Sequence, residues 1–489
     1  MSKLTTAFVR FSWAILMILQ LFYISNAQSI DAEITVDSKR QSVVVSGRFL
    51  RTASPSAHFN FYFITSPAGQ GSTADRISDV RLFDRDGRAI DFKRLAPGEY
   101  LASGEFSAWS YRVPLAASKM NAHSSWITND YGMIMLDDLL PKTGKGQDHG
   151  ARVTLKLPAD WQISSLEKRG AGEIYEVADT DKAILYVGSG LRTQSFAKGG
   201  VSINITFKGE WLFTDLEAVS MANEIFVEYR KIFGVDPAAA IQIALLRLPK
   251  DIAPGTWQAE TRGRNITLVS SDTNFRTQSL QRLHEQLRHE IFHLWIPNAV
   301  NLTGSYDWFY EGFALYQSLK LAVSVNRIRF DDFLDTLSRA HSIDSRQTRR
   351  LSLIEASRNR FRGNDTQIYA RGMLVAFLSD ISLLERSKGK VSVADLLRKL
   401  VSVHGQAEPS ADATAAVIGV MNTLGVPSEI VEKYVRGSEP IAWNDALRSV
   451  GIEPLNEQKR LSVISKPNGR QKLLLDKLGY NNWRKLSSR

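Results

Sequence analysis

The sequence predicts an α+β, multidomain chain: a β-sandwich-like N-terminal domain, a mixed region of strands and helices, and then an almost wholly helical segment. Three observations carry this. Up to about residue 207, apolar residues alternate in short runs separated by turn-formers. After Trp211 the apolar spacing changes to that of helices. At 489 residues the chain is too long for one ordinary domain, and roughly 100–200 residues per domain gives two to four. Hydrophobic residues at 44% and charged residues at 23% supply a packed core and exclude wholesale disorder.

Taken in order, residues 1–27 read as an export signal. Lys3 and Arg10 form a basic start, and Phe11 to Ile24 is apolar apart from Ser12 and Gln20. Ser25-Asn26-Ala27 then offers small residues for cleavage after Ala27. A helix over that run is about 21 Å long, short of the ~30 Å of a bilayer core. The expectation is a periplasmic or secreted protein, with an uncleaved N-terminal membrane anchor as the alternative. The chain has no cysteine, which excludes disulfides, thiolate chemistry and cysteine-ligated zinc and fits a bacterial periplasm.

Residues 28–207 form the expected β-domain. Alternation puts Val153, Leu155 and Leu157 on one face of "RVTLKL", and Ile203, Ile205 and Phe207 on one face of "SINITF". Asp84-Arg85-Asp86-Gly87 and Gly170-Ala171-Gly172 mark turns. Residues 208–323 come next. Asp215 opens a helix whose apolar positions run from Val219 to Phe233, and Gly234 ends it. "AIQIALLRL" and "RNITLVS" read as strands, and a long helix from about Thr277 stops before Pro297. In 324–454 the spacing predicts helices at 330–340, 366–386, 393–403, 411–423 and 427–436, after one at 311–323. Residues 455–489 form a basic, weakly patterned tail holding one amphipathic piece, "RQKLLLDKLG". The formal charge of +10 is dispersed among acids. That describes a solvated basic surface, or weak association with an anionic envelope surface, and gives no basis for nucleic-acid binding.

The chemistry is concentrated in "LRHEIFHLWIPN", Leu287 to Asn298. Residues four apart lie on one helix face, so His289 and His293 can offer imidazole nitrogens to one metal ion. Glu290, beside the first histidine, can lean toward the open coordination position and take a proton from water there. With only 8 histidines in 489 residues, chance supplies this pattern on the order of 0.006 times. A third ligand is needed, and Glu311, in the next helix, follows a turn-rich return over Asn298 to Asp307. Two imidazoles and one carboxylate suit zinc, one Zn2+ per chain. The neighbouring His284-Glu285 has no second histidine at the right spacing and reads as a helix surface pair.

"HEIFHLWIPNAVNLTGSYDWFYEGFALY" resembles the HExxH…E zinc metallopeptidases called gluzincins, and among them the aminopeptidase N-like and glycyl aminopeptidase-like families. The matching residues are His289, Glu290, His293, Trp295, Asn298, Trp308, Glu311-Gly312-Phe313-Ala314 and Tyr316. Seventeen residues, Leu294 to Tyr310, separate His293 from Glu311, one fewer than in aminopeptidase N-like enzymes. "QIYARGMLVAFLSDISL" resembles the family's Tyr-x-x-Gly helix, which implies that Tyr369 steadies the oxyanion. "SSWITNDYGMIMLDDLLP" and "EIVEKYVRGSEPIAWNDALRSVGI" are similar to the start and the end of the glycyl aminopeptidase-like unit. The resemblance implies a thermolysin-like zinc catalytic domain over 208–323 and a helical part of the same catalytic unit over 324–454. It implies hydrolysis of peptide substrates, foremost by an aminopeptidase on short peptides, with endopeptidase action second. A non-catalytic envelope binding protein with a vestigial site is a third reading, and a zinc hydrolase of esters or epoxides a fourth. One departure stands out. The family's upstream Gly-x-Met-Glu-Asn, which reads the substrate amine, is replaced by "GTWQAETRGRNITLVS". Glu260 is the one acid there, and it reads as a loop surface residue.

Overall fold

The structure, a computed structural model, describes residues 28–50, 59–63, 73–116, 120–142, 150–249, 252–405, 412–455 and 460–481. The expected signal segment, 1–27, lies outside them. The chain divides into two compact units, Met1–Thr193 and Gln194–Arg489.

The first unit is β-rich. Its eight-stranded sheet is ordered Lys168–Arg169, Ile174–Val177, Gly150–Lys156, Gln28–Asp37, Ser42–Phe49, Ala108–Pro114, Ser78–Phe83 and Ala89–Ile90. A four-stranded sheet of Gln162–Ser164, Ile184–Gly188, Tyr131–Met135 and Trp126–Ile127 contributes to the same core. Ile34, Val45, Trp109, Tyr111 and Val153 from the larger sheet are buried with Ile134, Leu185 and Val187 from the smaller. This is the sandwich-like arrangement that the alternating pattern predicts, because two sheets each hide one face.

The second unit is built on a five-stranded sheet. Its strands are β1 (Arg192–Lys198), β2 (Val201–Lys208), β3 (Ala240–Arg247), β4 (Trp257–Arg262) and β5 (Asn265–Ser270), in the order β1-β2-β3-β5-β4. Strands β2, β3 and β5 are parallel, and β4 is an antiparallel edge. The "SINITF" strand therefore belongs to this unit, and the division falls after Thr193 rather than after 207. Local alternation identifies a strand but not its partner; here Ile203, Ile205 and Phe207 align with Ile241, Ile243 and Leu245 of β3.

Helix α1 (Asp215–Phe233) links β2 to β3. Its N-cap is Thr214, one residue before the expected Asp215. The Thr214 side chain accepts from the Glu217 N–H, and the Glu217 carboxylate accepts from the Thr214 N–H at 2.8 Å. Gly234 ends the helix at φ 77°, as read from the sequence. Then come α2 (Arg276–His293), α3 (Asp307–Ser324), α4 (Phe330–Ser345), α5 (Leu353–Arg358), α6 (Asp365–Arg386), α7 (Val393–His404) and α8 (Ala413–Leu424). All the long helices expected from periodicity are present. Helix α6 is the one described helix long and apolar enough to cross a membrane, and 89% of its most apolar window is buried inside the fold. The tail differs from expectation. Residues Ile452–Leu455 pair with Arg460–Val463, and helix Gly469–Leu478 buries Leu474, Leu475 and Leu478 in the second core.

Candidate metal centre

Helix α2 is held by Leu283, Leu287 and Ile291, four residues apart and buried. Its end is fixed by Asn298, whose side-chain amide donates to the His293 carbonyl at 2.9 Å, satisfying one of the terminal acceptors. The same side chain accepts from Gly263 N–H at 2.8 Å and donates to Thr261 O at 3.3 Å. Asn298 thus ties the turn after edge strand β4 to the end of α2. Trp295 stacks on Phe233 at 4.9 Å and donates to Val235 O, securing the chain beyond the helix.

His289 Nε2 lies 3.1 Å from His293 Nε2 and 3.1 Å from Glu311 Oε2, and His293 Nε2 lies 3.4 Å from the same oxygen. Donors at 2.0–2.1 Å from a tetrahedral zinc ion are about 3.3 Å apart, so the three atoms already have the spacing of one coordination face. His293 Nδ1 is 2.9 Å from Ile296 O. Donation there leaves the Nε2 lone pair for a metal. All three side chains are largely buried. Burial opposes charge on Glu311, but His289 and His293 outweigh it and hold its carboxyl well below the ordinary range. Burial likewise opposes charge on His293, and Glu311 reverses it, so its pKa is raised. A buried carboxylate flanked by two imidazole nitrogens fits a divalent cation, and among cations it fits zinc.

Glu290 is buried on the β4 side of α2. Its Oε2 is 2.7 Å from Thr261 Oγ1, and its carbonyl is 2.9 Å from the same hydroxyl. Tyr369 comes from α6, its ring centroid 6.3 Å from that of His289. Two glycines explain how α6 reaches the site. A Cβ on Gly312 would sit 2.4 Å from Gly372 Cα, and one on Gly372 would sit 2.4 Å from Trp308 O. Helices α3 and α6 therefore cross backbone to backbone, with Glu311 next to one glycine and Tyr369 one turn before the other. Burial, then Glu311, pushes the Tyr369 phenol above its ordinary pKa, so it remains protonated.

Glu260 is not with this group. It lies on strand β4 rather than in a loop, opposite Thr267. Successive strand residues face opposite ways. Thr261 turns toward α2, while Glu260 shares its side with Arg262 and pairs with it at 3.3 Å. His284 is also not the surface residue expected: it is buried, with Nδ1 2.5 Å from the Arg288 guanidinium. Two residues near the centre have no sequence signal of their own. Thr261 sits in a polar edge strand without apolar alternation. Arg360 sits in a short 3-10 turn, Arg360–Arg362, and reaches both Glu311 and Tyr369 at 2.9 Å.

Known proteins agree with this architecture. Residues 72–184 match the peptidase M61 N-terminal domain. An aminopeptidase N family protein from Idiomarina loihiensis superposes with a TM-score of 0.73 at 16% identity, covering 86% of this chain and 78% of that one. The M1 zinc metallopeptidase from Deinococcus radiodurans gives 0.54 at 14% identity, over 85% of this chain and 94% of that one. A mutant of it bound to a Tyr-Ser-Ala substrate gives 0.53 at 15% identity, over 85% and 96%. At such identities the likeness is one of fold. No curated protein matches the sequence. The chain therefore joins a stretch matching the M61 peptidase N-terminal domain to the fold of the M1 zinc metallopeptidases, and on both counts it resembles the gluzincins that its histidine-glutamate pattern indicates.

Proposed function

We propose that the protein is a zinc-dependent peptidase of short peptides, acting first as an aminopeptidase. The observation that carries the peptidase reading is the convergence of His289, His293 and Glu311 beside Glu290, with Tyr369 on the adjoining helix. Zinc held by those three side chains would polarise a scissile carbonyl and lower the pKa of water to about 7. Glu290 takes the proton released as water adds, and hands it to the departing amine as the C–N bond breaks. Thr261 holds one oxygen of Glu290, leaving the other for that proton. Tyr369 donates its O–H to the carbonyl oxygen as charge builds there.

The aminopeptidase assignment draws on the fold of the Idiomarina protein and on the tripeptide bound by the Deinococcus one. One observation favours endopeptidase action of the same mechanism: Glu260, the acid nearest in sequence to an amine reader, pairs with Arg262 on the other side of β4. Rates on free and N-acetylated copies of one peptide separate the two. A strong preference for the free amine supports the aminopeptidase, and equal rates replace it with the endopeptidase. Glu290→Gln should abolish cleavage while zinc content stays near one per chain, and His293→Ala should lose the zinc. A Glu290→Gln protein as active as the wild type would end the peptidase reading.

A further inference from the structure

Arg360 joins two helices that sequence reading treats separately. Its Nη1 donates to Asp307 Oδ1 at 2.9 Å and to Tyr310 Oη at 3.2 Å. Its Nε donates to Asp365 Oδ1 at 3.1 Å. Its Nη2 donates to Tyr369 Oη at 2.9 Å and forms an ion pair with Glu311 Oε1 at 2.9 Å. All three guanidinium nitrogens are engaged, and the side chain is only 18% exposed. The pattern has an internal logic. Asp307 and Glu311 are four apart on α3, and Asp365 and Tyr369 are four apart on α6, so each pair shares one helix face. Each helix thus gives Arg360 one anchoring carboxylate and one site residue.

We propose that Arg360 is a positioning residue that fixes Glu311 and Tyr369 together, an inference that rests on the zinc peptidase reading. Two consequences follow from the atoms. Glu311 Oε1 is held by the guanidinium, so only Oε2, the oxygen beside both histidines, is presented to the metal. Tyr369 Oη accepts from Arg360 and hydrogen-bonds Glu311 through its own hydrogen, so the phenol is held as a donor beside the metal-facing carboxylate. Lysine cannot replace this. Its ammonium is a point charge on a flexible stem, without the planar fork that spans both targets.

The test compares the full chain with Arg360→Lys and with Asp365→Asn, which loosens the anchor from a half-exposed position and keeps the fold if Arg360→Lys does not. Zinc affinity is read by chelator competition, and metal geometry by the visible spectrum of the cobalt-loaded protein. Arg360→Lys should weaken zinc binding and lower kcat by about 10- to 100-fold each, with KM little changed. Its cobalt spectrum should change as the second Glu311 oxygen is released to the metal. Asp365→Asn should move every readout the same way by less. In a Tyr369→Phe background the kcat loss from Arg360→Lys should shrink, because the two residues act as one unit. Unchanged zinc affinity and cobalt spectrum in both variants would overturn the proposal, and so would fully additive kcat losses. The metal readouts need no substrate. A wild type that binds zinc but cleaves no peptide removes the peptidase reading and leaves the positioning of Glu311 decided by them. A wild type that binds neither zinc nor cobalt removes both.

Discussion

Thr261 and His284 show what single side chains do at the two margins of helix α2. Thr261 reaches Glu290 from an edge strand, and a hydrogen bond to a charged carboxylate is worth about 1.5–3 kcal/mol. Thr261→Val keeps the shape and removes the hydroxyl. The expected outcome is a fall in kcat of roughly ten- to a hundredfold with zinc content unchanged, checked by steady-state kinetics and metal analysis. An unchanged kcat would mean that the hydroxyl serves the Glu290 carbonyl alone. His284 faces Arg288, Glu224 and Arg327. Burial, then the two arginines, pushes its pKa from 6.5 down to about 3. It is therefore neutral in the folded chain at a pH where the unfolded chain protonates it. Between those two values the unfolded state binds more protons, so stability is full above pH 6.5 and falls as the pH drops, by about 1.4 kcal/mol per unit. His284→Gln should flatten that part of the acid limb in urea unfolding at pH 7, 6 and 5. Parallel limbs in wild type and variant would contradict it. The sequence places His284 on a helix but not on its buried side, because a polar residue facing a polar partner leaves no mark in the apolar spacing.

The crossing of α3 and α6 brings Glu311 and Tyr369 onto one site, and it works only because neither Gly312 nor Gly372 carries a Cβ. Gly312→Ala forces the helices apart, with an expected cost of about 1–3 kcal/mol in thermal or urea unfolding. Activity should fall by more than the stability loss explains, since Glu311 moves with the displaced backbone. Gly419→Ala, on an exposed face of α8 with nothing near the added carbon, should instead be neutral or gain about 0.5–1 kcal/mol from helix propensity. Equal effects at both glycines would remove the close crossing as the cause. At this scale most of the fold was legible in the sequence. The long helices follow from apolar spacing, and the His289, His293 and Glu311 group follows from two helices joined by a short return. What escaped is what periodicity does not record. Helix α5 has six residues, too few to show a period. Strand β4 is a polar edge. Arg360 lies in a turn, and its role exists only once α3 and α6 are side by side.

Each unit has its own core, one from Ile30 to Val187 and one from Val201 to Leu478. The second extends past the expected catalytic region into the C-terminal helix, because the leucines of "RQKLLLDKLG" complete it. Charge and weak patterning suggested a tail there, since three apolar positions on one short helix are a faint signal until the surface they cover is known. The boundary between units falls before the position that alternation predicts for a related reason: β2 satisfies the alternation of a sandwich strand, and only its pairing with β3 assigns it. The three side chains that could hold a metal ion, His289, His293 and Glu311, all lie on helices of the second unit. A metal that binds the folded chain stabilises it by mass action, about 4 kcal/mol when free zinc is a thousandfold above its dissociation constant. Chelation should therefore act unevenly. Hydrogen exchange should quicken in α2, α3 and α6, where the ligands and Tyr369 reside, while Gln28–Asp37, Ser42–Phe49 and Ala108–Pro114 at the centre of the first sheet keep their protection. His293→Ala should reproduce the effect without chelator and show no further change when chelator is added. Loss of protection spread equally over both units would mean that the metal holds the whole chain as one cooperative body, and no change in α2 would mean that His289 and His293 hold no ion.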